Sequence, residues 1–484
     1  MSSVEDLPPD ILLVLMGYLD AQDLLRLLST CRRIHALADE RSIWLAAIAH
    51  LELVQHQPVT SFQDDLTVLS TQDLQFLVRR AAGILCNLDS PHPQLAEIAA
   101  FNLEDFSEAV FIPGTGLLLM SGFQQLAVWD VFARRCVATV DVEKGEPQGA
   151  QLTVFVAPCV WVGARALFSG GLTRRAAQGE LLVDKLAAIY VDVEDRENIQ
   201  VDILYSSPVQ RIRRSHWPEH FISAALMGFS TEDGEIVWWD FAADEVHRQR
   251  YMFPMNQMGR GATSGLFYDS LTKRLHGFAP YDFENEAGLH SAQLGSIRGH
   301  HAPLESQAIP VRFPTAESLA QLTAIARLYL SSSIPPSMVG SYAKFGVFAV
   351  TYGTFRRIGQ PEPDDRRFLH FFRGPSSGLP MVGQAIESLP YQFPPFLTPV
   401  FGVGSTGSVF IRGFVQPKAP PGTRPLVGVL RLRRGAQQPA LTCFHGENLT
   451  ASGPIAHDEI VGLASIWDHR TRVIRVFSYA GNKH

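Results

Sequence analysis

Between Pro8 and Leu51 the apolar residues recur at helical spacing, whereas beyond about residue 91 they gather in short runs closed off by turn residues. Pro8 and Pro9 suit the first turn of a helix, where a missing N–H is unpaired anyway, and Asp10 adds negative charge at the positive end of the dipole. Ile11, Leu12, Leu15, Met16 and Leu19 then form an apolar stripe, with Gly17 off it. Asp20 followed by Asp23 is a carboxylate version of the capping pattern ahead of Leu24, Leu25, Leu27 and Leu28, which predicts a second short helix after a tight corner. Ser29 or Thr30 suits the cap of a third helix, CRRIHALADE, with Cys31, Ile34 and Leu37 or Ala38 inward and Arg32, Arg33 and His35 outward. Ile43 and Trp44 close this three-helix bundle. Farther on, Ser70 to Asp73 forms a capping box before LQFLVRRAAGIL, whose Leu74, Leu77, Val78 and Ala81 share one face and predict a helical stem.

From Pro91 onward prolines and glycines are frequent and the apolar runs are of strand length. The clearest unit carries strands at Leu117 to Ser121, Leu126 to Val131 and Cys136 to Val142. Comparable units recur, three of them marked by a Trp-Asp dipeptide at Trp129-Asp130, Trp239-Asp240 and Trp467-Asp468, the third in a different register. Short strand sets at intervals of about 40 to 55 residues are what propeller blades produce, because each blade buries its faces only against its neighbours. Over this length that period gives roughly six to eight blades, with seven as the expectation. The segment from Pro314 to Leu330 has a cap at Thr315 and an apolar stripe through Leu319, Leu322, Ile325 and Leu328, which predicts an inserted helix. The proline-rich stretches LPYQFPPFLTP and VQPKAPPGTRP read as inter-strand loops.

A chain of 484 residues exceeds what one core usually holds, so a module plus a larger domain is the default. Hydrophobic residues at 46% and charged residues at 18% place it among folded globular proteins, and the net charge of -7 disfavours binding a polyanion such as nucleic acid. Five scattered cysteines show no metal-ligand or redox spacing, and no run is long and apolar enough to predict a membrane span. Gly402, Gly404 and Gly407 match a dinucleotide-binding pattern, but a β-branched and aromatic strand follows rather than a helix, so they read as a hairpin turn. His216 and His220 flank Pro218, which breaks the helix that would bring them together, and no P-loop, nucleophile elbow or zinc motif is present. No catalytic residue, cofactor or metal ligand is nominated. Arg211, Arg213 and Arg214, and the pairs Arg356-Arg357 and Arg366-Arg367, fit either basic patches for an acidic or phosphorylated target or, more simply, solvated strand-end charges.

The segments LPPDILLVLMGYLD and DLLRLLSTCRRIHALADERSIW together resemble the F-box, with its Leu-Pro opening, leucine-rich middle, Cys-Arg-Arg and late Trp, over about Leu7 to Leu51. The resemblance implies that Leu7, Pro8, Ile11, Leu12, Leu15, Met16, Leu19, Leu24, Leu27 and Cys31 supply apolar surface for a Skp-type adaptor that bridges to a cullin/RING ligase core. Trp44 matches the family's late aromatic. The strand region resembles a divergent WD-repeat propeller. The expected protein is multidomain, α plus all-β: an F-box over residues 1–52, a helical linker or stem over 53–90, and a propeller-like partner-binding domain over 91–484. Its expected role is a non-catalytic substrate receptor of a Skp–cullin–F-box ubiquitin ligase recruiting an unknown protein target, in the cytoplasm or nucleus, without nucleic acid or membrane. The competing expectation is an F-box scaffold that works outside a ligase.

Overall fold

The computed structural model describes residues 7–55, 57–60, 66–102, 106–122, 125–141, 151–154, 159–175, 181–209, 212–214, 220–231, 235–250, 266–269, 273–279, 286–294, 305–310, 324–326, 338–339, 347–357, 366–373, 387–394, 397–403, 408–415, 419–423, 425–432, 438–444, 455–468 and 471–480. Helix α1 runs Pro9–Met16 with Pro at its first turn. Helix α2, Ala21–Leu28, is capped by Asp20, whose carboxylate accepts the Asp23 N–H at 2.8 Å. Two features differ from the sequence reading. Cys31, rather than Ser29 or Thr30, caps α3 (Arg32–His35), because those two hydroxyls donate back to the Arg26 and Leu27 carbonyls and close the end of α2. The chain then tightens into a 3-10 turn at Ala36–Asp39, and Ile43 and Trp44 lie on a further helix, α4, Arg41–Leu53.

Helix α5, Thr71–Leu88, starts at the reciprocal Ser70–Asp73 capping box. It carries two apolar faces. Leu74, Val78, Ala81 and Leu85 lie in one core with Leu24, Leu28, Ile43, Trp44 and Leu51 of the preceding helices. Ile84 and Leu88 instead join Phe410, Val429, Ile466, Phe477 and Tyr479 of the strand domain. Helix α5 therefore belongs to both cores at once.

The described strands form seven antiparallel sheets. Most contain four strands in simple sequential order, beginning with Phe106–Ile112, Leu117–Gly122, Gln125–Asp130 and Arg135–Asp141. The last sheet is mixed in origin: Ile455–Asp458, Leu463–Asp468 and Val473–Ser478 come from the C-terminal end, and its fourth strand, Ala96–Asn102, comes from the start of the domain. Successive meander sheets closed by the first strand joining the last sheet make a WD40-like β-propeller. Ring closure packs the faces of the first and last sheets against each other, faces that a linear array of sheets would leave exposed at its ends.

All three Trp-Asp dipeptides end a strand, and in the third that strand is the second of its sheet, followed by Val473–Ser478, rather than the third. The glycine pattern falls between Leu397–Val403 and Val409–Val415, antiparallel partners, so a second strand and not a helix follows it; residues 404–407 lie outside the described residues. Pro420 to Thr423 forms an exposed turn between strands, with Gly422 at φ +92°. The helix expected over Pro314 to Leu330 is corrected where the structure describes it. Ala324–Ala326 is a strand paired with residues 355–357, so pairing to a neighbour overrides the local stripe there, and the rest of the segment lies outside the described residues.

Candidate docking surface

Helix α1 is apolar almost all round, PDILLVLM, and a bundle this small buries only part of it. Leu12 and Met16 point inward, each about 1% exposed. Ile11, Val14, Leu15 and Tyr18 remain on the outside at 47%, 59%, 44% and 82% exposure. These four fall at i, i+3, i+4 and i+7, so they make a continuous ridge along the helix and the turn that follows it. Polar groups edge it: Asp10, Arg32 and Arg33 are exposed, and the Arg33 guanidinium donates to the Leu7 carbonyl at 3.1 Å, tying the approach to α1 against α3.

The residues singled out in the sequence divide into two groups. Pro8, Ile11 and Leu15 are exposed, and Leu7, Leu19, Leu27 and Cys31 are half-buried. Leu12, Met16, Leu24 and Trp44 are closed inside the module, with Leu24 and Trp44 fully buried. Trp44 is the pivot of that interior, its indole N–H donating to the Ala38 carbonyl at 2.7 Å. The buried four hold the ridge in place. Val14 and Tyr18 belong to the ridge and were absent from the sequence reading. Their signal was available in the spacing from Ile11, but the stripe through Leu12 and Met16 was the stronger one.

Among the described residues no group of three or more His, Cys, Asp and Glu side chains is placed to hold a metal ion, and no helix is long and apolar enough to cross a membrane. His216 lies outside the described residues, while His220 opens the strand His220–Ile222. Arg213 and Arg214 end the strand Ile212–Arg214, and Arg356-Arg357 and Arg366-Arg367 meet at one end of a paired hairpin.

Residues 4–46 match the F-box-like family model. This stretch is an F-box-like domain. It takes in α1 to α3 and the start of α4, including Trp44 and the whole exposed ridge. A search of curated proteins finds no match to the chain. Among solved structures, the chain is similar to the WD40 domain of SCAP from fission yeast (12% identity, TM-score 0.38, covering 78% of this chain and 85% of that one). It is also similar to the N-terminal domain of Nup159 (7% identity, TM-score 0.36, covering 79% and 95%) and to a chain of a mitotic checkpoint complex (8%, 0.36, 80% and 96%). The propeller assignment stands on the sheet order and ring closure described above.

Proposed function

We propose that the protein is a non-catalytic substrate receptor of a Skp–cullin–F-box ubiquitin ligase, acting in the cytoplasm or nucleus. In this reading residues 1–52 bind a Skp-type adaptor, residues 53–90 set the spacing, and residues 91–484 recruit a protein target. One observation carries it: the F-box-like domain leaves the Ile11, Val14, Leu15 and Tyr18 ridge uncovered, although burying a large aliphatic side chain is worth roughly 1.5–3 kcal/mol. A docking subunit that covers the ridge gains that energy. The double role of α5 adds support, since a receptor must hold its target at a fixed distance and orientation from the transfer machinery.

The test is adaptor capture by the full chain. Leu15→Asp places a carboxylate on the ridge and is expected to weaken capture on the order of a hundredfold while the circular-dichroism spectrum stays that of the wild type. Undiminished capture would refute the reading. Leu24→Asp is a control of a different kind: Leu24 is fully buried, so its effect passes through unfolding of the helices. Co-purification of a cullin with the adaptor separates the ligase role from an F-box scaffold that works without one.

A further inference from the structure

At the C-terminal end of the strand Ile455–Asp458, three consecutive buried polar residues reach in three directions. His457 Nε2 lies 2.7 Å from the Tyr479 hydroxyl, within the last sheet. The Asp458 carboxylate accepts the Gly114 N–H at 2.8 Å, from the first sheet, and the Ile460 N–H at 3.1 Å. The Glu459 carbonyl accepts Nε2 of Gln57 at 3.2 Å, from the segment between α4 and α5. Tyr479 closes the circuit, because its carbonyl accepts the Asn87 side-chain N–H of α5 at 2.8 Å. The first and last sheets thus meet at the same few residues that receive the helical module.

The surroundings of this point are tightly fitted. Gly462, at φ +71°, lies where a Cβ would come within 3.1 Å of Ile84 on α5 and 3.2 Å of Ala480. Arg431 pairs with Asp89 just past α5, and the Thr442 hydroxyl donates to the Leu88 carbonyl at 3.0 Å. After α5 the chain passes within a few residues into Ala96–Asn102, the strand that closes the ring on Val473–Ser478. The helical module is joined to the propeller at its closure.

We infer that His457, Asp458 and Glu459 form a coupling joint that holds docking of the helical module and closure of the strand ring together as one cooperative unit. Loosening either side loosens the other, because the two sets of contacts share one strand end and coupling of this kind is reciprocal. This inference does not depend on the identity of the partner that covers α1.

Amide hydrogen exchange on the full-length protein tests it. Gln57→Ala changes a side chain of the helical side and removes its bonds to the Pro58 and Glu459 carbonyls, whereas Asn87→Ala removes the bond to the Tyr479 carbonyl together with two to Gln94, so for this second variant the telling segments are Val473–Ser478 and the turn around Gly114. Each is expected to speed exchange about fivefold or more in Ala96–Asn102, Val473–Ser478 and the turn around Gly114, as well as in α5. In the other direction, Asp458→Asn is expected to speed exchange in α5. Acceleration confined to the side that carries the substitution, or none at all, overturns the inference. Should Asp458→Asn not fold, the two helix-side variants decide alone.

Discussion

Asp458 carries the clearest consequence of burial for a single side chain. Burial, reinforced by the neighbouring Glu459 charge, pushes its carboxyl up to about 7, against the opposing pull of the Gly114 and Ile460 N–H groups and Arg80. Its neighbour His457 is pulled down to about 3 by burial and stays neutral, and burial lifts the Tyr479 hydroxyl well above its ordinary range. A carboxyl raised in the folded state favours the protonated form there, so the stability it contributes is present below the unfolded value near ~4 and is lost as pH rises through about 7. Thermal unfolding should therefore show a melting temperature that falls between about pH 4 and 7, and Asp458→Asn should flatten that slope. An unchanged slope in the variant would assign the dependence to other groups. None of this was legible in the sequence, where Asp458 is one acid among many. A second residue pattern was legible in part. Asp130 and Asp240 each accept two backbone N–H groups from the turn that follows, and four residues after Asp130, Asp240, Asp269 and Asp468 stand Arg134, Asp244, Lys273 and Arg472, all in the left-handed region. Two of the Trp-Asp dipeptides, Trp129-Asp130 and Trp239-Asp240, mark this turn, and Lys273 has the same positive φ four residues after Asp269, which follows Tyr268 rather than a Trp.

At the scale of elements, α5 shows how far local pattern reaches. Its capping box and its Leu74, Val78 and Ala81 face follow from spacing, while its second face, Ile84 and Leu88, has meaning only against Phe477 and Tyr479. The close approach of this second face to the last sheet favours glycine at 462, where φ is positive and a Cβ would press within 3.1 Å of Ile84 and 3.2 Å of Ala480. Gly462→Val is expected to destabilise the protein by more than about 2 kcal/mol, read as a lowered urea midpoint, through backbone strain together with displacement of α5. By contrast, Ser70→Ala removes an exposed cap and is expected to cost only about 1 kcal/mol, with faster exchange limited to the first turn of α5. The cap of α3 by Cys31 has a local cause as well. Ser29 and Thr30 closed the helix behind them rather than opening the one ahead, and both uses are open to a hydroxyl at a helix boundary.

At the scale of the whole molecule, the propeller depends on contacts between residues far apart in sequence. The strand Ala96–Asn102 finds Val473–Ser478 across nearly the whole strand domain, and the stem rests on strands from the last two sheets. A protein beginning at residue 103 would lack the closing strand and leave the edge of Val473–Ser478 unpaired beside exposed apolar surface. Such a truncation is expected to elute as aggregate in size-exclusion chromatography, whereas one that keeps Ala96–Asn102 but lacks α1 should remain monomeric, since Leu13 and Met16 of α1 pack in the helical core. Equal behaviour of the two would remove ring closure as the reason.

The sequence by itself determined what is local: the caps at Asp20 and Ser70, the change of period from helix to strand, the F-box-like opening, and the short strands ending in Trp-Asp. These features need only a residue and its near neighbours, and their energies are set within a turn or a hairpin. Tertiary structure alone decided which apolar residues of α1 stay outside, which strand closes the ring, and that His457, Asp458 and Glu459 meet the first sheet and the helical segment at one place. Exposure is whatever the rest of the fold leaves uncovered, and pairing across hundreds of residues is chosen by the closure of the whole ring, so neither is written in any local stretch of the chain.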